Sequence, residues 1–265
     1  MSESKRKMSR QRKLLMEHPD CYFCGGIGRA TTIDHVPPRA CFPRGYAPEG
    51  FEFPACQECN KGADKDDQIF GLYSMLLDFD ESKTSQQDHI KRLLELHKGI
   101  KNNYPDALPD LATAFPVPNQ AGSIPPAAIA LETNSVFKAA SMTMGKKLTH
   151  ALYMLEMRKI LTTRHRFRCN WYQPQWQGTE SLTSYFNSLM PDEKIGTRSN
   201  IKPYGDRFRY ISGTKETEDF FMYAAQFGRG LVLWGIVCGP NMQVPPEAER
   251  LKPAPWIAGA CGPRA

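Results

Sequence analysis

Apolar residues recur along this chain with changing period, and each change marks a new segment. Residues 21–60 are rich in Gly and Pro and hold no helical period; only Ala30-Thr31-Thr32-Ile33 and Phe51-Glu52-Phe53 read as short strands. From about Asp64 the period turns helical, with Ile69, Phe70, Tyr73, Leu76 and Leu77 on one face. A second helical run carries Ile90, Leu93, Leu94 and Leu96. Pro105, Pro109, Pro116, Pro118, Pro125 and Pro126 then rule out a long helix. Residues 136–163 form the longest helical candidate, with Met144, Leu148, Ala151, Leu152 and Leu155 on one side. Beyond it, Arg207-Phe208-Arg209-Tyr210-Ile211 alternates and Phe220–Phe227 is mixed. Leu231–Val237 is a continuous apolar run suited to a buried strand.

This order predicts an α+β chain in five parts. Residues 1–20 are an arm, part helix, ending at His18-Pro19-Asp20. Residues 21–100 are a first domain with a helical extension, and 101–135 a Pro-rich linker, long enough to suggest a boundary. Residues 136–240 are a second α+β region, and 241–265 a Pro-rich tail. No internal repeat or low-complexity tract interrupts them.

Composition narrows the class. The chain has 265 residues, 41% hydrophobic and 23% charged, which excludes wholesale disorder. No apolar run approaches the ~20 residues of a membrane-spanning helix, and the charged start lacks the apolar core of a secretory signal. A cytoplasmic protein without a membrane partner is expected. The formal charge is +6, nearly all of it in the first 13 residues, where Lys5, Arg6, Lys7, Arg10, Arg12 and Lys13 face only Glu3. Such an arm can neutralise phosphates; it equally describes a solvated terminus.

Eight cysteines sort into two groups. Cys21/Cys24 and Cys56/Cys59 form two Cys-x-x-Cys pairs, and the other four are scattered. Two knuckles of that spacing can turn four sulfurs onto one tetrahedral zinc ion at ~2.3 Å per bond. A redox reading of one pair is disfavoured, because no βαβ pattern surrounds either. The segment between the knuckles carries Asp34-His35-Val36-Pro37-Pro38 just after a short strand, and Asn60 abuts the last cysteine. A neutral imidazole can deprotonate water near pH 7. A carboxylate and an amide oxygen are hard ligands suited to Mg²⁺ or Mn²⁺.

The arrangement Cys21-x-x-Cys24, Asp34-His35-Val36-Pro37-Pro38, Cys56-x-x-Cys59-Asn60 resembles the HNH endonucleases of the His-metal finger superfamily. The resemblance covers roughly residues 21–80. It implies a zinc-stapled ββα-metal nuclease core, with His35 activating water and Asp34 and Asn60 holding one catalytic Mg²⁺ or Mn²⁺. The family's central Asn is missing: no Asn lies between Cys24 and Cys56, and Gly50-Phe51-Glu52-Phe53-Pro54 stands in its place. Arg39 and Lys61 are candidate phosphate clamps or plain surface charges. Asp64, Asp66 and Asp67 read as helix-start acids that favour the positive end of the helix dipole.

The expected function is therefore metal-dependent hydrolysis of phosphodiesters, first in DNA and second in RNA, in a restriction, mobile-element or antiviral defence setting. The competing readings are a zinc module that binds nucleic acid or a partner protein without cutting, and a structural zinc protein whose second half acts. Residues 136–240 carry no readable motif and are the expected site of any protein partner or homo-oligomer contact. The run Arg164-His165-Arg166-Phe167-Arg168 mixes cations with aromatics, which can grip a single strand or form a basic strand edge.

Overall fold

The computed structural model describes residues 3–78, 86–113, 115–116, 129–130, 133–172, 196–198, 207–215, 219–228, 230–242 and 257–258. Its first segment is helix α1 (Glu3–Glu17). The two short strands then pair with each other: β1 (Thr32–His35) and β2 (Glu52–Ala55) form an antiparallel hairpin with Thr32 opposite Ala55 and His35 opposite Glu52. β1 starts two residues later than the pattern suggests, because the Ala30 N–H is spent on the Pro19 carbonyl at 2.7 Å rather than on the ladder. The loop between the strands holds a short 3₁₀ turn at Arg39–Cys41. β2 runs directly into α2 (Gln57–Gly62) and α3 (Asp64–Leu77), and α4 (Gln86–Asn103) follows. The buried face of α3 centres on Ile69, Phe70, Leu72, Tyr73 and Met75.

The long helix is α5 (Ser135–Met157). Asn134 caps it, its Oδ1 accepting the Phe137 N–H at 2.8 Å, which satisfies one of the open amides of the first turn. It ends at Arg158, in the left-handed region at φ 59°, short of residue 163. Two short strands, β3 (Phe115–Pro116) and β4 (Ile129–Ala130), pair beside it in sequence. The main sheet takes β5 (Arg166–Tyr172), β6 (Gly196–Arg198), β7 (Phe208–Lys215), β8 (Phe220–Phe227), β9 (Leu231–Cys238) and β10 (Ile257–Ala258) in the antiparallel order β10-β5-β9-β8-β7-β6. Every residue of β9 is buried, as its continuous apolar run requires. α5 lies close on this sheet at Gly145, where a Cβ would stand 3.1 Å from the Cys169 sulfur.

One hydrophobic core runs through both halves. Phe51 meets Phe208 edge-on at 5.4 Å, Phe70 meets Phe227 at 5.0 Å, and Tyr73 stacks on Phe137 at 4.0 Å. Such ring pairs add about 0.5–1.5 kcal/mol each beyond the area they bury. Arg207 and Asp78 form an ion pair at 2.7 Å with both side chains under 5% exposed. Gly228, at φ +53°, leaves room for that carboxylate, since a Cβ there would fall 2.1 Å from Asp78. The residues on either side of the Pro-rich stretch 101–135 thus share their interior. Within that stretch residues 114, 117–128 and 131–132 lie outside the described residues, as does most of the 241–265 tail. Among the described residues, no helix is long and apolar enough to cross a membrane. The basic run near 165 is not a free edge, since β5 pairs with β9 and, at Arg166 and Phe167, with β10; Arg168 is buried, whereas Arg164 and Arg166 are exposed.

Candidate metal centre and the histidine beside it

The two Cys-x-x-Cys pairs converge. The ligand atoms of Cys21, Cys24, Cys56 and Cys59 all lie within 4.8 Å of one another. A tetrahedron with ~2.3 Å bonds has edges of about 3.8 Å, so the four cysteines lie close enough to bind one zinc ion. The backbone turns its amides to the sulfurs: Gly28 N–H donates to Cys24 Sγ at 3.1 Å, and Cys59 N–H to Cys56 Sγ at 3.4 Å. Gly25 and Gly26 take φ of 64° and 84° to close the first knuckle, conformations that glycine adopts without steric cost. At Gly28 a Cβ would stand 3.1 Å from Cys56 Cβ and Sγ, tighter than ordinary contact. Crowding sets the sulfurs against one another. Hydrogen bonding from Cys59 pulls the Cys21 thiol down to about 5, whereas burial pushes Cys24 up to about 11. The donor set fits a structural zinc ion, which would tie the first knuckle to the start of α2.

β1 ends on His35, 24% exposed at its side chain and facing Glu52 across the hairpin. Its Nε2 lies 3.4 Å from Glu52 Oε1 and 2.7 Å from Arg39 Nη2. A guanidinium only donates, so Nε2 carries the lone pair and the ring is neutral. Burial, then Arg39, hold the imidazole below its ordinary range, against the opposing pull of Glu52 and Asp34. Arg10 of α1 comes within 3.9 Å of Glu52 Oε2, which brings the basic arm to this corner. Arg10, Arg12, Lys13, Arg39 and Lys61 are all exposed. Lys5, Arg6 and Lys7 stand in α1, and their side chains lie outside the described residues.

Asp34 faces the other way, into the core, with 4% exposure. Tyr22 donates its hydroxyl to Oδ2 at 2.7 Å, and Lys147 Nζ approaches Oδ2 at 3.1 Å and Oδ1 at 3.3 Å. The same ammonium, on a side chain with no exposure, grips Asp67 at 2.7 and 2.9 Å. Two carboxylates outweigh burial and keep Lys147 above its ordinary range. Asp67 is pushed up to about 7 by burial, Lys147 opposing. Asn60 donates to Thr32 Oγ1 at 3.0 Å and to the Ile33 carbonyl at 3.3 Å, fastening α2 to β1. A divalent ion needs open oxygen ligands. Both Asp34 oxygens already face an ammonium or a hydroxyl, whereas the Asn60 bonds to β1 use its Nδ2 and leave Oδ1 aside. As arranged, Asp34 is not open to Mg²⁺ or Mn²⁺.

Four participants escape a reading of motifs alone: Tyr22, Glu52, Asp67 and Lys147. Glu52 follows from hairpin register once β1 is seen to end at His35. Lys147 has a fainter signal, a charge among Met144, Leu148 and Ala151 on an apolar helix face. Asp67, expected as a helix-start acid, also holds that lysine. No family model matches the chain, and no curated protein or solved structure matches it either.

Proposed function

We propose that the chain is an HNH-type endonuclease that hydrolyses phosphodiester bonds in DNA, with His35 as the base that activates water. The observation that carries the reading is the neutral, half-buried His35 set against Arg39 and Glu52 on a hairpin that a four-cysteine cluster can staple. In this reading Glu52, 3.4 Å from Nε2, stabilises the imidazolium that forms once Nε2 takes the proton of water. Arg39 rests on Nε2 until a phosphate draws its guanidinium away by bidentate bonding, which frees the lone pair for water. Arg39 then also faces the charge that develops on the phosphate. The catalytic Mg²⁺ or Mn²⁺ rests on the resemblance alone.

One observation favours a second reading, a zinc module that binds nucleic acid without cutting it: Asp34 is committed to Lys147 and Tyr22. Plasmid incubated with purified protein in Mg²⁺, in Mn²⁺ and in EDTA, beside a His35→Ala variant, separates the two. The nuclease reading expects wild-type nicking that the variant lacks. Equal cleavage by both, or none under any condition, leaves the binding module.

A further inference from the structure

Beside His35 the surface opens into a cavity of about 510 Å³, of whose lining residues only Arg39 has a part in the nuclease reading. Three arginines line it, Arg39, Arg44 and Arg92, over a floor of Phe42, Pro43 and Ala47, and no acid is among its lining residues. Arg39 is the shared wall, since its Nη2 reaches His35 Nε2. Three like charges around one hollow repel one another unless an anion joins them. The structure contains a partial substitute: a single oxygen, Glu95 Oε2, accepts from Arg44 Nε at 3.2 Å and from Arg92 Nη1 at 3.3 Å. Two guanidiniums converging on one acidic oxygen is also how a phosphate oxygen is held. One carboxylate serves two arginines, and Arg92 Nε is buried with no hydrogen-bond partner among the described residues. Arg44 is 79% exposed and can swing without disturbing the core.

We propose that this cavity binds the phosphate backbone of DNA next to the bond presented to His35, with Arg44 and Arg92 on phosphate and the apolar floor against the sugars. The proposal rests on the nuclease reading for the direction of the strand, and its binding part is separable. In it, Glu95 is a competitor: it parks both arginines when the cavity is empty and yields them to phosphate. The volume lies within the ~300–1,000 Å³ of ordinary ligand sites.

The test is DNA affinity as a function of salt, read by fluorescence anisotropy on a short duplex, with full-length protein carrying His35→Ala throughout to prevent cutting. Arg44→Ala with Arg92→Ala is expected to weaken binding several-fold and to flatten the slope of log affinity against log salt by about two units, close to 0.9 per phosphate lost. Glu95→Gln is expected to tighten binding, an effect that loss of fold cannot imitate. A double variant with unchanged affinity and slope overturns the proposal, as does a Glu95→Gln protein that binds no better. Binding with this signature by a protein that never cuts DNA keeps the cavity and removes the nuclease. Cleavage with His35 restored that is indifferent to Arg44 and Arg92, together with an unchanged slope, keeps the nuclease and removes the cavity.

Discussion

His35 and Asp34 are adjacent in sequence and sit in opposite environments, because successive strand residues point to opposite faces. The imidazole meets solvent, Arg39 and Glu52; the carboxylate meets Tyr22 and Lys147 in the interior. Lys147 is the residue on which this interior depends. Lys147→Met leaves two buried carboxylates without their cation, and removal of one partner of a buried pair costs about 3–5 kcal/mol. Urea unfolding is expected to show a loss of that order, with Asp67→Asn in the Lys147→Met background recovering part of it. An unchanged midpoint for Lys147→Met would refute the ion triad. His35, the cysteines and Arg39 were legible because their chemistry lies in a short window of sequence. Lys147 lies 113 residues from Asp34, and no local pattern says where a helix will deliver its side chain.

The first cysteine knuckle and α5 both hold the hairpin at Asp34. The first knuckle contributes Tyr22 to Asp34 and offers its carbonyl to His150 Nδ1–H at 3.1 Å. Metal analysis of the purified protein is expected to find about one zinc per chain, lost in Cys56→Ser together with a drop in thermal midpoint. Structural zinc contributes roughly 10–16 kcal/mol in small peptides, so full retention of stability by that variant would contradict a structural role. His150 gives a pH signature. Burial pulls its folded-state pKa down to about 4 from an ordinary value of 6.5. Below pH 6.5 the unfolded chain takes up a proton that the folded chain refuses. Stability therefore falls as pH drops from 6.5 toward 4, by about 3 kcal/mol from this group. Denaturant midpoints for wild type and His150→Gln should diverge in slope across that window; parallel curves would contradict it. The periods along the chain located α3, α4, α5 and β9 well. Ends were less legible, since hydrogen bonds set them: Ala30 bonds Pro19 outside the ladder, and α5 stops where Arg158 turns left-handed.

At the scale of the molecule, the Pro-rich stretch 101–135 reads as a boundary in composition, yet the core is continuous across it. Phe51 and Phe70 of the first half lean on Phe208 and Phe227 of the sheet, and α5 supplies Lys147 to the hairpin and His150 to the first knuckle. Sequence pattern identifies apolar faces but not which faces meet, so this sharing was not legible. Its consequence is that the hairpin and the elements that hold it are to be tested together, in the full chain. The central claim, that His35 is the base, is tested most directly by chemical rescue in full-length protein. Nicking of supercoiled plasmid is measured for wild type and for His35→Gly with and without added imidazole. The account expects the variant to be inactive alone and imidazole to restore nicking, with a rate that rises as imidazole becomes neutral. A His35→Gly protein that nicks at the wild-type rate without imidazole would contradict it.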